Sequence, residues 1–232
     1  MGLFFKRRKA TAMGLLGLEF GPQGVALAQV QRAEGETPQL LRCDYLEGQP
    51  EAQAELLKQA VAEHGLSGMS VNLLLHPSAY QMFLLEAPEV PAEELRDAMR
   101  WRVKDLLSEP LEDVVIDCFS LPEDAYRGRT RMVYCVVLKK SRMNEFRSLV
   151  QHAGLILASI DITEMAFRNL GLLAGADAIN LALLRLRTSE GLICVQNGAD
   201  LYMARRIEHG LARAEQDLSS MTLEIQRSLD YY

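Results

Sequence analysis

The residues of this chain best suited to chemistry lie in two turns, each set between short apolar runs. In the first, Gly21-Pro22-Gln23-Gly24 separates the runs 13–20 and 25–30, with Glu19 just ahead of the turn. In the second, Arg187-Thr188-Ser189-Glu190-Gly191 separates 181–186 from 192–196, with Arg185 just ahead. Turns of this kind between strands can present backbone N–H groups to an anion, phosphate above all. Pro22 has no N–H, so the first turn loses part of any such cradle. Arg185 and Arg187 suit a phosphate oxygen, but neither can hold Mg²⁺, which takes carboxylate oxygens and water. Some anion affinity is therefore expected, without the groups that metal-assisted phosphoryl chemistry requires.

Other constellations are weak. Cys43, Cys118, Cys135 and Cys194 each sit in an apolar strand-like run with no C-x-x-C spacing, which reads as buried, reduced thiols in a reducing compartment. His64, His76, His152 and His209 show no helical ligand spacing, so no metal site is expected. A net charge of −6 and a pI of about 5.3 argue against a nucleic-acid footprint. No apolar run approaches the ~20 residues of a spanning helix. At the start of the chain, Phe4 and Phe5 precede Lys6, Arg7, Arg8 and Lys9. That segment reads either as a membrane contact, with rings in the lipid interface and cations on anionic headgroups, or as a solvated tail.

These residues must be positioned by a larger frame, and 232 residues with 49% hydrophobic content can bury one large core or two small ones. The first turn joins two strands of a hairpin; a third strand is expected at 39–46, a helix at 51–64 ended by Gly65, and a buried strand at 71–75. A strand at 80–85, a helix at 92–107 and a strand pair at 114–121 and 132–139 form an inserted α/β unit. The helix at 141–153 is expected to be capped by Ser141 and closed by Gly154. The second turn opens a similar hairpin with a third strand at 201–207, and an apolar spacing of three and four from Leu211 to Tyr232 predicts one long amphipathic helix. In the helix at 92–107 the stripe is Leu95, Ala98, Met99, Arg102 and Leu106. Trp101 lies off it, either packed under the following loop or presented with Met99 and Val103 as an anchor for a partner.

The run from Gly17 to Ala26, GLEFGPQGVA, resembles the first phosphate turn of actin-like ATPases, G-[ILV]-D-[ILV]-G-[ST]-x-x-[VL]-K. Glu19 then stands at the aspartate, Pro22 at the hydroxyl residue and Ala26 at the lysine. In the second turn, LLRLR at 183–187, Arg185 and Arg187 occupy the acidic and glycine positions. The ordered set PAEELRDAMRWRV (91–103), PLEDVVID (110–117), SRMNEFRSLVQHAGL (141–155), IDITEMAFRNL (160–170) and EIQRSLDYY (224–232) resembles the PilM family of type IV pilus assembly proteins. The nearest branch is the MshI-like proteins of mannose-sensitive haemagglutinin pilus systems, with the cytoplasmic domain of GspL more distant.

The resemblance implies an α/β protein of actin-like ATPase (ribonuclease-H-like) lobes: a tail at 1–12, a first lobe at 13–78 and 141–178, an inserted subdomain at 79–140, and a second lobe at 179–232. That second lobe is expected to be shortened, because the chain stops before the strands and adenosine motif the family carries. The implied function is a cytoplasmic scaffold, peripheral at the inner membrane, that captures the tail of a PilN-like or MshJ-like single-span protein in a cleft between the first lobe and the insert. Self-association is left open. No cofactor is implied, the alternative being an ATPase that binds ATP with Mg²⁺. Asp161 reads either as a vestigial group facing phosphate or water, or as a turn and cap residue beside Thr163.

Overall fold

β1 (Leu15–Gly21) and β2 (Gly24–Gln31) form an antiparallel hairpin whose last pair is Gly21 with Gly24. The computed structural model describes residues 14–32, 35–125, 130–175 and 179–230. The aromatic and basic segment from Phe4 to Lys9, and Tyr232 at the end of the expected last helix, lie outside the described residues.

The chain divides into two compact units, the first comprising residues 1–79 and 141–162 and the second residues 80–140 and 163–232. In the first unit β3 (Gln39–Glu47) extends the hairpin, and β4 (Ser70–Leu75) and β8 (Ile156–Ile162) add in parallel on the other side of β1, in the order β3-β2-β1-β4-β8. Alternation sets the two faces. Leu16, Leu18, Val25, Leu27, Val71 and Leu73 are buried on one face, together with Leu57 and Val61 of α1 (Pro50–Glu63) and Phe146 and Val150 of α3 (Lys140–His152). Phe20 stacks on Phe146 at 5.8 Å between centroids. Gly65 and Gly154 end these helices with φ of +64° and +78°, a conformation glycine adopts without strain. α3 starts one residue early, so Ser141 lies inside its first turn and does not cap it.

In the second unit, β5 (Gln81–Glu86), β6 (Val114–Ser120) and β7 (Met132–Lys139) make an antiparallel sheet in the order β5-β7-β6. α2 (Leu95–Lys104) covers one of its faces through Met99 and Val103, against Val114, Ile116, Val133, Cys135 and Val137. On β7 the alternate residue Tyr134 belongs to a second core with Leu192, Cys194, Leu201 and Ala204 of a further three-stranded sheet. That sheet consists of β9 (Asn180–Leu186), β10 (Gly191–Asn197) and β11 (Asp200–Ile207), all antiparallel. The Tyr134 hydroxyl locks the two sheets together: it donates to Ala204 O and accepts from Ala204 N, both at 3.1 Å. α4 (Thr163–Leu173) packs on β9 and β10, and Met221 of the last helix packs with Ile193 and Ile207.

Two helix expectations are corrected. The last helix is not continuous: α5 (Leu211–Ala214) and α6 (Leu218–Asp230) are separate. Asp217 caps the second piece by accepting from Ser220 N at 3.0 Å, so the carboxylate restarts the helix. The helix expected at 92–107 is shorter, Leu95–Lys104; Arg102 within it and Leu106 beyond its end are exposed, whereas Val103 is fully buried. The buried spacing therefore runs Leu95, Met99, Val103, with Leu107 following. Among the described residues, no helix is long and apolar enough to cross a membrane.

Candidate functional site

In the first unit the turn at Pro22-Gln23 sits at the C-terminal end of β1, beside the ends of the parallel strands β4 and β8. Ligand sites of open α/β sheets gather at such ends. α1 holds the turn in place: the buried Gln53 side chain donates from Nε2 to Gly21 O at 2.7 Å and to Gly48 O at 3.2 Å. Gly48 N donates to Gln23 O at 2.9 Å. Gln53 was not singled out from the sequence; its one signal there was an amide on the otherwise apolar face of an amphipathic helix.

This turn does not present an open cradle. A side-chain carbon added to Gly24 would lie 2.6 Å from Leu46 O and 2.7 Å from Tyr45 Cζ. The Tyr45 ring therefore covers the last glycine of the turn. With Pro22 lacking a donor, the turn offers few N–H groups to an anion.

The strand register brings Glu19 and Asp161 into one row, Glu19 beside Leu74 on β4 and Leu74 beside Asp161 on β8. With strands about 4.8 Å apart, their Cα atoms stand about 10 Å from each other with a leucine between them. Asp161, the penultimate residue of β8, accepts from Ile162 N at Oδ1, at 2.8 Å. The same face carries Ser159, whose hydroxyl meets Asn72 Oδ1 at 3.0 Å. Among the described residues, no group of three or more His, Cys, Asp or Glu side chains is placed to hold a metal ion.

The second turn lies in the second unit and closes on itself. Glu190 Oε1 lies 3.6 Å from Arg185 Nη2 and 3.9 Å from Arg187 Nε, so one carboxylate serves both guanidinium groups. Arg187 N donates to Glu190 O at 2.8 Å, and Leu211 N at the start of α5 donates to Arg187 O at 2.8 Å. Gly210 fills the remaining space. A carbon added there would meet the amide nitrogens of Ser189 and Glu190 at 2.6 Å each, so the chain's own backbone covers the N–H groups of this turn.

The three residues grouped on α2 do not share a surface. Met99 and Val103 are fully buried in the α2 core, while Trp101 is 67% exposed, with Lys104 Nζ 5.8 Å from its ring centroid. Trp101 is thus not packed under the following loop. The thiols also differ from expectation. Cys43 is exposed, because it occupies the uncovered face of the outer strand β3, and Cys118 is only half-buried.

Sequence reasoning missed one polar cluster altogether. Tyr80, which begins the second unit, donates its hydroxyl to Glu164 Oε2 and accepts from Thr163 N at 3.3 Å. Glu164 is fully buried, and its other oxygen takes Arg206 Nε at 3.3 Å. The Arg206 guanidinium lies over the Tyr80 ring at 4.6 Å. Burial, then the neighbouring Glu164 charge, pushes the Tyr80 phenol well above its ordinary range, and burial does the same to the nearby Cys194 thiol.

No protein-family model matches the chain, and no curated protein matches it. Solved structures do share its fold. A PilM–PilN type IV pilus biogenesis complex superposes with a TM-score of 0.67 at 19% identity, covering 94% of this chain and 70% of that one. The cytoplasmic domain of EpsL, an inner membrane component of the type II secretion system of Vibrio cholerae, gives 0.56 at 12% identity over 84% of this chain and 71% of that one. A Bacteroides thetaiotaomicron protein with an actin-like ATPase fold and unknown function gives 0.53 at 11% identity over 95% and 78%. At these identities the likeness establishes the fold: the chain has the actin-like ATPase architecture that the motifs implied.

Proposed function

We propose that this protein is a non-catalytic, PilM-like scaffold of the mannose-sensitive haemagglutinin pilus branch. It works in the cytoplasm against the inner membrane and holds the tail of a PilN-like or MshJ-like single-span partner. The observation that carries this reading is that both phosphate turns are filled by the chain's own atoms. Tyr45 lies over Gly24 in the first, and Gly210 and Glu190 close the second. A nucleotide would have to displace those contacts and would meet a proline where an N–H donor is wanted. The residues present do not fit ATP with Mg²⁺, and no catalytic step follows from them. Support for the partner comes from the shared fold with a protein solved as a PilM–PilN complex and with an inner membrane secretion component.

For the docking surface, Trp101 is the best candidate on α2. A tryptophan held on a helix and left in water is the side chain most enriched among binding anchors, and its loss typically weakens association by about 2 kcal/mol or more. The test is calorimetric titration of the full chain with a synthetic peptide copying the cytoplasmic tail of its PilN-like partner. A dissociation constant at micromolar strength or tighter is expected. Trp101→Ala should weaken it about 30-fold while leaving unfolding within about 0.5 kcal/mol of the parent, since the ring covers no core. Absence of heat at saturating peptide, with the fold intact, would overturn the reading.

A further inference from the structure

Cys118 on β6 and Cys135 on β7 are separated by most of a loop in sequence, yet the antiparallel register sets them directly opposite each other. Their sulfurs are 3.0 Å apart. Directly opposite residues of an antiparallel pair have Cα atoms about 4.5 or 5.5 Å apart, depending on the kind of pair. Both values lie inside the roughly 4.4–6.8 Å that a disulfide spans. Bond formation therefore asks for side-chain rotation without movement of the strands.

The two thiols are unequal in access. Cys135 is fully buried in the core beneath α2, whereas Cys118 is half-buried at its margin. Either sulfur can donate its proton to the other. The S–H of Cys118 stabilises the thiolate of Cys135 and holds that thiol below its ordinary range. The pair thus shares a proton and can present a thiolate more readily than an isolated buried thiol.

We propose that Cys118 and Cys135 are a redox-active cross-strand dithiol that a peroxide converts into an intramolecular disulfide tying β6 to β7. In the first step Cys118 passes its proton to Cys135 across their contact, and the accessible Cys118 sulfur, now a thiolate, attacks hydrogen peroxide and the O–O bond breaks. Cys118 becomes a sulfenic acid, and hydroxide leaves with the electron pair. In the second, the hydroxide just released takes the Cys135 proton, the Cys135 thiolate attacks the Cys118 sulfur, the S–O bond breaks and a second hydroxide leaves. Two thiols and one peroxide give one disulfide and two waters once the released protons are counted. The site requires no nucleotide and no partner, so it stands apart from the scaffold reading.

The experiment uses the full chain, reduced, freed of reductant and treated with hydrogen peroxide, then alkylated and mapped by mass spectrometry without reduction. The expected result is a protein lighter by two hydrogens, with peptides containing Cys118 and Cys135 linked and the mass restored by dithiothreitol. The exposed Cys43 is the internal comparison. If Cys43 is oxidised while Cys118 and Cys135 remain alkylatable, or if Cys118 passes to sulfinic acid without linkage, the proposal is overturned. In Cys135→Ser the intermediate should persist and be trapped by dimedone on Cys118. Dimedone on Cys43 alone would overturn the order of attack. Should that variant fail to fold, the map of the parent protein still decides the matter.

Discussion

The most consequential single residue is Glu164, a carboxylate with no exposed surface that is satisfied on one oxygen by Tyr80 and on the other by Arg206. Removing one member of a buried ionic cluster leaves the others desolvated and short of partners, which typically costs about 3–5 kcal/mol. Arg206 keeps a third of its side chain in water, so Glu164→Ala is expected near the low end, about 3 kcal/mol. Tyr80→Phe removes the hydroxyl that links Glu164 to Thr163 N, for about 1–3 kcal/mol. Urea titrations check both; a neutral Tyr80→Phe would mean that the cluster is incidental. Tyr80 and the nearby Cys194 also bear on stability at alkaline pH. Tyr80 and Cys194 both have raised native pKa values, so the unfolded chain loses these protons first and the native chain binds more of them. Stability should therefore fall as pH rises, from about 8.5 where an ordinary thiol ionises and more steeply from about 10 where an ordinary tyrosine does. In Tyr80→Phe the second, steeper part should be lost.

At the scale of elements, the contact between α4 and β10 depends on one glycine. A carbon added to Gly171 would lie 2.3 Å from Gln196 Oε1 and 2.6 Å from its Cδ, and Gln196 is fully buried with its Nε2 committed to Gly198 O at 2.9 Å. Alanine would favour the helix by up to about 1 kcal/mol, but here it meets an amide that cannot swing away, so the clash decides the sign. Gly171→Ala should destabilise by about 1–3 kcal/mol, and pairing it with Gln196→Ser should recover most of that, as a double-mutant cycle in urea would show. This contact was invisible in the sequence, where Gly171 reads only as a weak spot in a helix. Most strands were legible, because alternation and turns such as Gly21–Gly24 fix them locally, but β8 was not expected, since its residues are mostly exposed and show no clean apolar run. The break before α6 was not, since the three-and-four apolar spacing runs on through it. Asp217 was the clue, a capping residue hidden inside an apparently continuous pattern. At the candidate site, the positions of Glu19, Asp161 and the two turns could be read from the motifs. What covers them could not, because Tyr45, Gln53 and Gly210 reach the turns from other strands and helices.

For the molecule as a whole, the question is whether an actin-like fold with these turns still responds to nucleotide. A ligand present at a hundred times its dissociation constant stabilises what it binds by about 2.7 kcal/mol, which in a chain of this size raises a melting transition by about 5–10 °C. Weak general attraction of a polyanion is disfavoured by the net charge of −6, so any shift must come from a specific site. With Glu190 serving Arg185 and Arg187, and with Tyr45 and Gly210 against the turns, millimolar ATP with Mg²⁺ is expected to move the melting temperature by less than about 1 °C. The partner-tail peptide, in contrast, should raise it by several degrees at saturation. The diagnostic variant is Glu190→Gln, which weakens the internal pairing of both arginines and favours their pairing with an anion. It should gain a small ATP-dependent shift that does not require Mg²⁺, since guanidinium groups bind phosphate without a metal. A large shift in the parent protein that disappears when Mg²⁺ is chelated would show that the turns open around a metal–nucleotide complex, and the scaffold reading would give way to an ATPase.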